Sequence, residues 1–527
     1  MSPRKPRLIR LAASAALVVA SLPCAARAQD SRGQDDRGQD DRGQEDAKRP
    51  RARVMREPGE VVDVIDAFDD NDAFDIAFSV GYQYLSKRAR ILRESPVFEP
   101  GLTTGGFTSR NMNVGQYIGV ASILTPQIDI GLYKDLALYA RVPITLSDER
   151  RIDDLDGSAS KAAVVAAGAP GEQLFALPFR SPSRSGVQYV GVGLDYAILN
   201  QARDATKPTW TFGVEARIAA GTPMHACDAS QTIQCAHPGD VNRNGQFDSS
   251  LVGKGGIELE AQGLTNRSPG VTRGTIGLEA HSAISKRIKY IEPYGAFSAL
   301  AEFQQGSESD YGATDLQGAL VNHPPLRGTV SVGLMIHPWE NREKFSRLTF
   351  DVRFDGTYHS EGRDYSELFD ALGSSSAPSL RTPKWARFRG CVASDGCSGE
   401  TISVVDESSQ KTYFTGLTVV EPFGSYRASS SVTWRIQEFV KLTFGMGLRF
   451  DQAHGITHDQ PCNPNFKSNP FESGPCHFTQ GSGPTPEVGA TGIPNPAYRP
   501  TISAVGRRFF VDESTTYELF ARGVVMF

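Results

Sequence analysis

Beyond its N-terminal segment the chain has no long apolar run; the longest in the sequence is Leu11 to Leu22. A later helix therefore has nothing with which to cross a bilayer. An excess of basic residues is missing as well. The 55 Lys and Arg against 60 Asp and Glu leave a net charge of −5, and the five basic residues of positions 1–28 take it to −10 when removed. That balance gives no reason to expect a nucleic-acid partner. Gly-x-Ser-x-Gly elbows, phosphate-binding Gly loops and zinc signatures are absent, so no enzyme activity is expected. Cysteine is scarce. After Cys24 only six remain, in three close pairs without a Cys-x-x-Cys unit: Cys227 with Cys235, Cys391 with Cys397, and Cys462 with Cys476. Three local pairs in a secreted chain read as three small loop-closing disulfides, with metal binding as the competing reading.

What is present begins with export. Arg4, Lys5, Arg7 and Arg10 precede the short apolar core, and Ala26-Arg27-Ala28 forms a cleavage site, so residues 1–28 read as a signal peptide. Residues 29–66 form a spacer. Within it, 31–46 repeat RGQDD, RGQDD, RGQED with no apolar residue, a composition that cannot repay its ordering entropy.

From Phe74 the hydrophobic period becomes two. Phe74, Ile76, Phe78, Val80, Tyr82 and Tyr84 alternate with Asp75, Ala77, Ser79, Gly81 and Gln83. The same pattern returns over Leu136–Leu146, Trp210–Ile218, Leu348–Phe354 and Val440–Phe450. Twelve strands are expected, at 74–86, 117–132, 136–148, 187–199, 210–222, 271–285, 289–304, 328–339, 346–360, 417–436, 438–453 and 514–527. Segment 501–510 alternates weakly and is read as part of the last loop; fourteen strands are the alternative count. Short connections near 134–135, 200–209, 286–290, 340–346 and 436–440 alternate strictly with long polar ones at 89–112, 149–186, 223–270, 306–326, 361–416 and 455–512. A soluble sandwich also alternates along its strands, but it needs no such asymmetry between its two ends. A membrane barrel has it, and keeps its mean hydropathy low (−0.31 here) because lipid-facing and interior residues alternate. The expected fold is all-β: a single antiparallel up-and-down transmembrane β-barrel over 67–527 with long external loops.

The last residues sharpen this. Tyr517, Leu519, Ala521, Gly523, Val525 and Phe527 share one face and finish on an aromatic ring. The segment resembles the C-terminal insertion signal of bacterial outer-membrane barrel proteins. The resemblance implies an outer-membrane location, lipid contact, and handling by the barrel-insertion machinery. An even strand number implies that both termini are periplasmic.

The interior faces carry the charge. Asp75, Arg141, Glu215, Arg217, Glu279, Glu292, Glu302, Asp351, Arg353, Asp355, Arg427, Arg435, Arg449 and Arg522 are expected to line the lumen, because each would cost a few kcal/mol at mid-bilayer on the lipid side. They suit a channel for small polar solutes, or a network of paired charges that blocks a narrow barrel. His281, His337 and His359 are read as members of the same inner wall. His281 and Ser282 point to opposite faces, so they do not form the Ser–His pair an outer-membrane lipase would need. In the loop before Val271, Asp240, Asn242, Asn244 and Asp248, with Gly245, follow the spacing of a calcium loop. Leu251 stands where a bidentate Glu would close it, and Asx-turn chemistry explains the same residues without metal. No cofactor is required on this reading; calcium in an external loop is the one candidate. The leading expectation is porin-like passage of small hydrophilic solutes. The alternative is a surface-display or structural barrel whose disulfide-pinned loops bind an external partner.

Overall fold

The structure, a computed structural model, describes residues 75–98, 107–154, 174–230, 234–235, 268–305, 309–312, 323–375, 415–458 and 507–527, with a few isolated positions between them. The signal peptide, the spacer, the calcium loop at 240–248, and the pairs Cys391–Cys397 and Cys462–Cys476 lie outside the described residues.

Twelve strands close into one antiparallel barrel. In chain order they are β1 (Ile76–Phe98), β2 (Phe107–Tyr133), β3 (Leu136–Arg141, resuming at Ile144–Asp154) and β4 (Arg184–Val187, resuming at Tyr189–Leu199). Next come β5 (Thr209–Ala219), β6 (Thr275–Ser285), β7 (Ile291–Gln304), β8 (Arg327–Asn341) and β9 (Ser346–His359). The sheet ends with β10 (Phe423–Gln437), β11 (Val440–Asp451) and β12 (Ser514–Met526). β12 pairs back onto β1, with Phe78 opposite Val525 and Tyr82 opposite Ala521. Closure leaves no unpaired edge, which hydrocarbon would not tolerate. The break in β3 falls at Pro143, which has no N–H to give the ladder. Lys134, Lys289 and Phe345 take positive φ values of 45°, 55° and 53° in three of the short turns, as tight hairpins demand.

The expected strands are all present, with different ends. β1 and β2 run far into the stretch 89–112 that reads as a loop, pairing from Ile76↔Ile130 to Phe98↔Phe107. Charges at Arg88, Arg90 and Arg93 hide this in the sequence. Above the lipid a strand need not alternate, since its backbone ladder holds it. β10 starts at Phe423 rather than at 417. Part of segment 501–510 is also strand: Phe509–Val511 pairs with β1, Ile91 opposite Val511.

The outer face is apolar and the inner face polar. Phe212, Val214, Leu278, Val332, Phe354, Phe444, Met446 and Leu519 point outward and are exposed. Rings crowd both rims of this belt: Tyr133, Tyr290, Trp339 and Phe527 at the short-turn end, Phe303, Tyr358 and Tyr517 at the other. From Tyr517 to Phe527 is roughly 33 Å along the strand, or about 25 Å once tilted, the height of an outer-membrane hydrocarbon layer.

The molecule's compact apolar core is not in the barrel wall but at its long-loop mouth. There Leu368, Ala371 and Leu372, from the connection between β9 and β10, bury against Ile91, Val114, Tyr117 and Ile152 of the wall and Leu174, Phe175 and Phe509 of neighbouring loops. Residues Phe369–Gly373 form a short helix, α1, all five of them buried. Gly362–Asp364 and Thr418–Val420 pair as a small ladder at the base of this connection.

Candidate functional site

The lumen wall is built from every second residue of each strand, so its chemistry follows directly from the alternation. Glu215 sits at the centre of one half. It accepts hydrogen bonds from Tyr139 (2.8 Å), Arg141 (2.8 Å) and Arg217 (2.7 Å), and Arg217 continues to Glu279. His281 meets Asp195 at 2.6 Å just below. Across the lumen Arg427 bridges Asp355 (2.8 Å) and Glu518 (2.7 Å), and Arg353 also donates to Asp355 (2.6 Å). Gln83 closes that group on Glu518, and Tyr294 donates to Asp351 at 2.9 Å. Nearer the short turns, Glu292 and His337 are fully buried 3.5 Å apart, and Glu340 gathers Arg287 and Arg347. Arg522 donates to Ser79 at 3.0 Å, and Arg435 to the Glu438 carbonyl at 3.0 Å. The Asp75 carbonyl accepts from Gly131 at the rim. Half of the expected lining charges therefore meet one another: Arg141, Glu215, Arg217, Glu279, Arg353, Asp355 and Arg427. Asp195, Asp129, Glu518 and Lys441 share the face and follow from the same alternation, whereas Glu340 reaches it only through the β-bulge between Ile336 and Trp339.

The wall has room for its aromatics because small residues lie opposite them. Tyr139 faces Gly193 across the β3–β4 ladder, and Tyr294 faces Gly333 across β7–β8. A Cβ on either glycine would fall 2.3 Å from the neighbouring ring. Each ring thus lies flat along the wall, with its hydroxyl delivered to a carboxylate.

At the long-loop end the mouth is roofed. Tyr365, Ser366 and Glu367 lead into α1 and hang over the lumen. Lys87 of β1 bonds Glu367 at 2.8 Å and Asp451 of β11 at 3.2 Å. Burial opposes ionisation of Glu367, yet the charges of Lys87 and His454 outweigh it and hold the carboxyl below its usual 4.5. Arg184, with no side-chain exposure, donates twice to Asp370 (2.5 and 3.1 Å) and once to the His225 carbonyl. Arg273 clamps the base of the roof through Asp364 at 2.6 Å. The Cys227–Cys235 disulfide is formed, and the Cys227 N–H donates to Asp370 at 3.0 Å. Nothing in the alternation announces this roof; its sequence signal is the apolar cluster Leu368-Phe369-x-Ala371-Leu372 inside an otherwise polar connection.

Under the roof lies a chamber of about 540 Å³. Its walls come from β1 to β8 together with β11 and β12, its ceiling from Tyr365–Glu367. That volume falls within the range of small-molecule sites.

The fold defines the class: a bacterial outer-membrane β-barrel protein, with a closed twelve-strand wall, an apolar belt and a polar interior. No protein-family model matches the chain, and no curated protein does. Solved structures similar to it include an outer-membrane channel from Pseudomonas putida F1, 9% identical over 89% of this chain and 99% of that one, TM-score 0.31. A Pseudomonas aeruginosa FadL homologue is 8% identical over 85% and 90%, TM-score 0.28. The outer-membrane protease OmpT from Escherichia coli is 10% identical over 87% and 99%, TM-score 0.22. At these values the likeness goes no further than the barrel architecture already visible in the strand pairing.

Proposed function

We propose that the protein is a capped outer-membrane channel for small hydrophilic solutes, with its long loops outside and its short turns in the periplasm. The observation that supports this best is the polar chamber inside the barrel, closed on the outside by a single folded connection. That connection is held by a few ion pairs and one apolar cluster, contacts that can open without disturbing the strand ladders. The charges of the wall would set selectivity, as in other polar pores. Planar-bilayer recording tests the reading. The intact chain should give rare or small conductance steps. A variant in which a short Gly-Ser linker replaces residues 365–374 should give large, steady ones. A correctly folded, heat-modifiable variant that stays silent would count against passage.

One observation favours a second reading. The same roof fills the mouth, and its paired charges could make a closed barrel whose outer loops bind a partner at the cell surface. Silence of the roofless variant would move the assignment there.

A further inference from the structure

We propose that the chamber is a binding site for a small organic anion, a carboxylate carried on a short apolar body. Six cations line the chamber: Lys87, Arg150, Arg217, Arg273, Arg327 and Arg449. Only three carboxylates do: Asp148, Glu302 and Glu367. The other acids that hold these cations, among them Glu279, Asp364 and Asp451, are not part of its lining, so the paired network turns its positive side inward. Each lining carboxylate is engaged. Asp148 accepts from Arg150 at 2.7 Å, Glu367 is bonded by Lys87, and Glu302 serves Arg273 (3.0 Å), Thr275 (2.9 Å) and Arg327 (2.5 Å).

Arg449 is the cation left underused. Its nearest acid is Asp451 at 3.5 Å, already occupied by Lys87, Ser425 and Ser514. Its other contact is a 3.5 Å hydrogen bond to Thr516, and its Nε is buried with no hydrogen-bond partner. The side chain is still 42% exposed, toward the chamber it lines. A guanidinium in that state is a ready fork for a carboxylate. Apolar groups are set among these charges: Ala219 beside Arg217, Val271 beside Arg273 and Leu300 beside Glu302, with Met224. Cationic and apolar groups side by side suit an amphiphilic anion over an inorganic ion or a neutral sugar.

Binding of such a solute deepens the capped-channel reading and rests on it for a role in uptake, but binding can be measured without transport. Benzoate is the probe and benzamide its uncharged counterpart, titrated calorimetrically into the full chain in detergent. Arg184→Gln, which loosens the roof but does not line the chamber, is run in parallel to guarantee entry. Saturable benzoate binding is expected, with benzamide at least tenfold weaker. Arg449→Gln should weaken benzoate about tenfold or more, Arg449→Lys should restore part of it, and Leu300→Asn should weaken benzoate while leaving formate unchanged. Heat modifiability checks that each variant is folded. Equal binding of benzoate and benzamide, an unaffected Arg449→Gln, or no binding even in Arg184→Gln would each overturn the proposal. Benzoate binding in a protein whose roofless form is silent would keep the site and remove the channel. Conductance without benzoate binding would do the reverse.

Discussion

At the scale of single residues, the lumen wall is a set of close fits between large and absent side chains. Tyr139 reaches Glu215 only because Gly193 leaves its space empty. Replacing Gly193 by Val would push the ring off the wall, breaking a buried hydrogen bond and overpacking the strand pair. A loss of about 1–3 kcal/mol is expected. Gly328, beside which an added Cβ meets nothing within 4 Å, is the control, and Gly328→Ala should stay within about 0.5 kcal/mol. Urea midpoints of the refolded barrel measure both. Arg184 and Asp370 give a second residue-scale expectation. Their pair is buried, so Arg184→Ala strands a carboxylate and should cost about 3–5 kcal/mol, whereas replacing both partners by apolar residues should cost far less. Because the pair belongs to the roof, hydrogen exchange should quicken in 369–373 and remain slow in β5 and β6. Equal quickening in both would show that the pair supports the barrel itself.

At the scale of elements, the roof is the piece that can move independently, and its latch titrates. Glu367 faces Lys87 from β1, which also holds Asp451 of β11, and feels the charge of His454 from the loop after β11. A carboxyl whose docked pKa lies below its free value stabilises the docked state above that free value. The stability is lost as pH falls through the docked pKa. Conductance should therefore rise as pH falls below about 4.5, the usual carboxyl value. Glu367→Gln should be more open at neutral pH and lose the acid response; an unchanged acid rise would place the latch elsewhere. The strands were legible in the sequence because lipid on one side and polar groups on the other force a period of two. Phe212, Val214 and Leu278 could face nothing but hydrocarbon. The roof was not legible, for a physical reason. Its stability comes from contacts such as Lys87 with Glu367 and Arg184 with Asp370, between residues far apart in the chain. No local period records such a contact. The polar upper halves of β1 and β2 were missed likewise, since outside the lipid the ladder alone suffices. The lining charges were legible as a set, but their pairing was not: alternation gives the face of Glu215, while register decides that Arg141 and Arg217 share it.

At the scale of the whole molecule, closure and asymmetry act together. The ladder from β12 to β1 makes the barrel one cooperative unit, while the roof and outer loops have their own small core and can open below the global stability. The two ends also differ in what they offer a protease. The short turns are rich in cleavable cations: Lys134, Arg203, Lys289, Arg342 and Lys344. Lys134 and Lys289 sit in tight turns with the backbone held by the adjoining ladders, and Arg203 and Lys344 lie in slightly longer ones. If the long loops face outward, trypsin added to intact cells should cut at basic sites in the long connections, such as Lys384 or Arg387, and spare every short turn. The same enzyme introduced into the periplasm should reach Arg203 and Lys344 first, since those turns are the least constrained. Mass mapping of the fragments reads the result directly. Cleavage at Arg203 or Lys344 from outside the cell would invert the barrel, placing the roof on the periplasmic side. The chamber would then open toward the cell exterior through the short turns, and the roof would guard exit rather than entry.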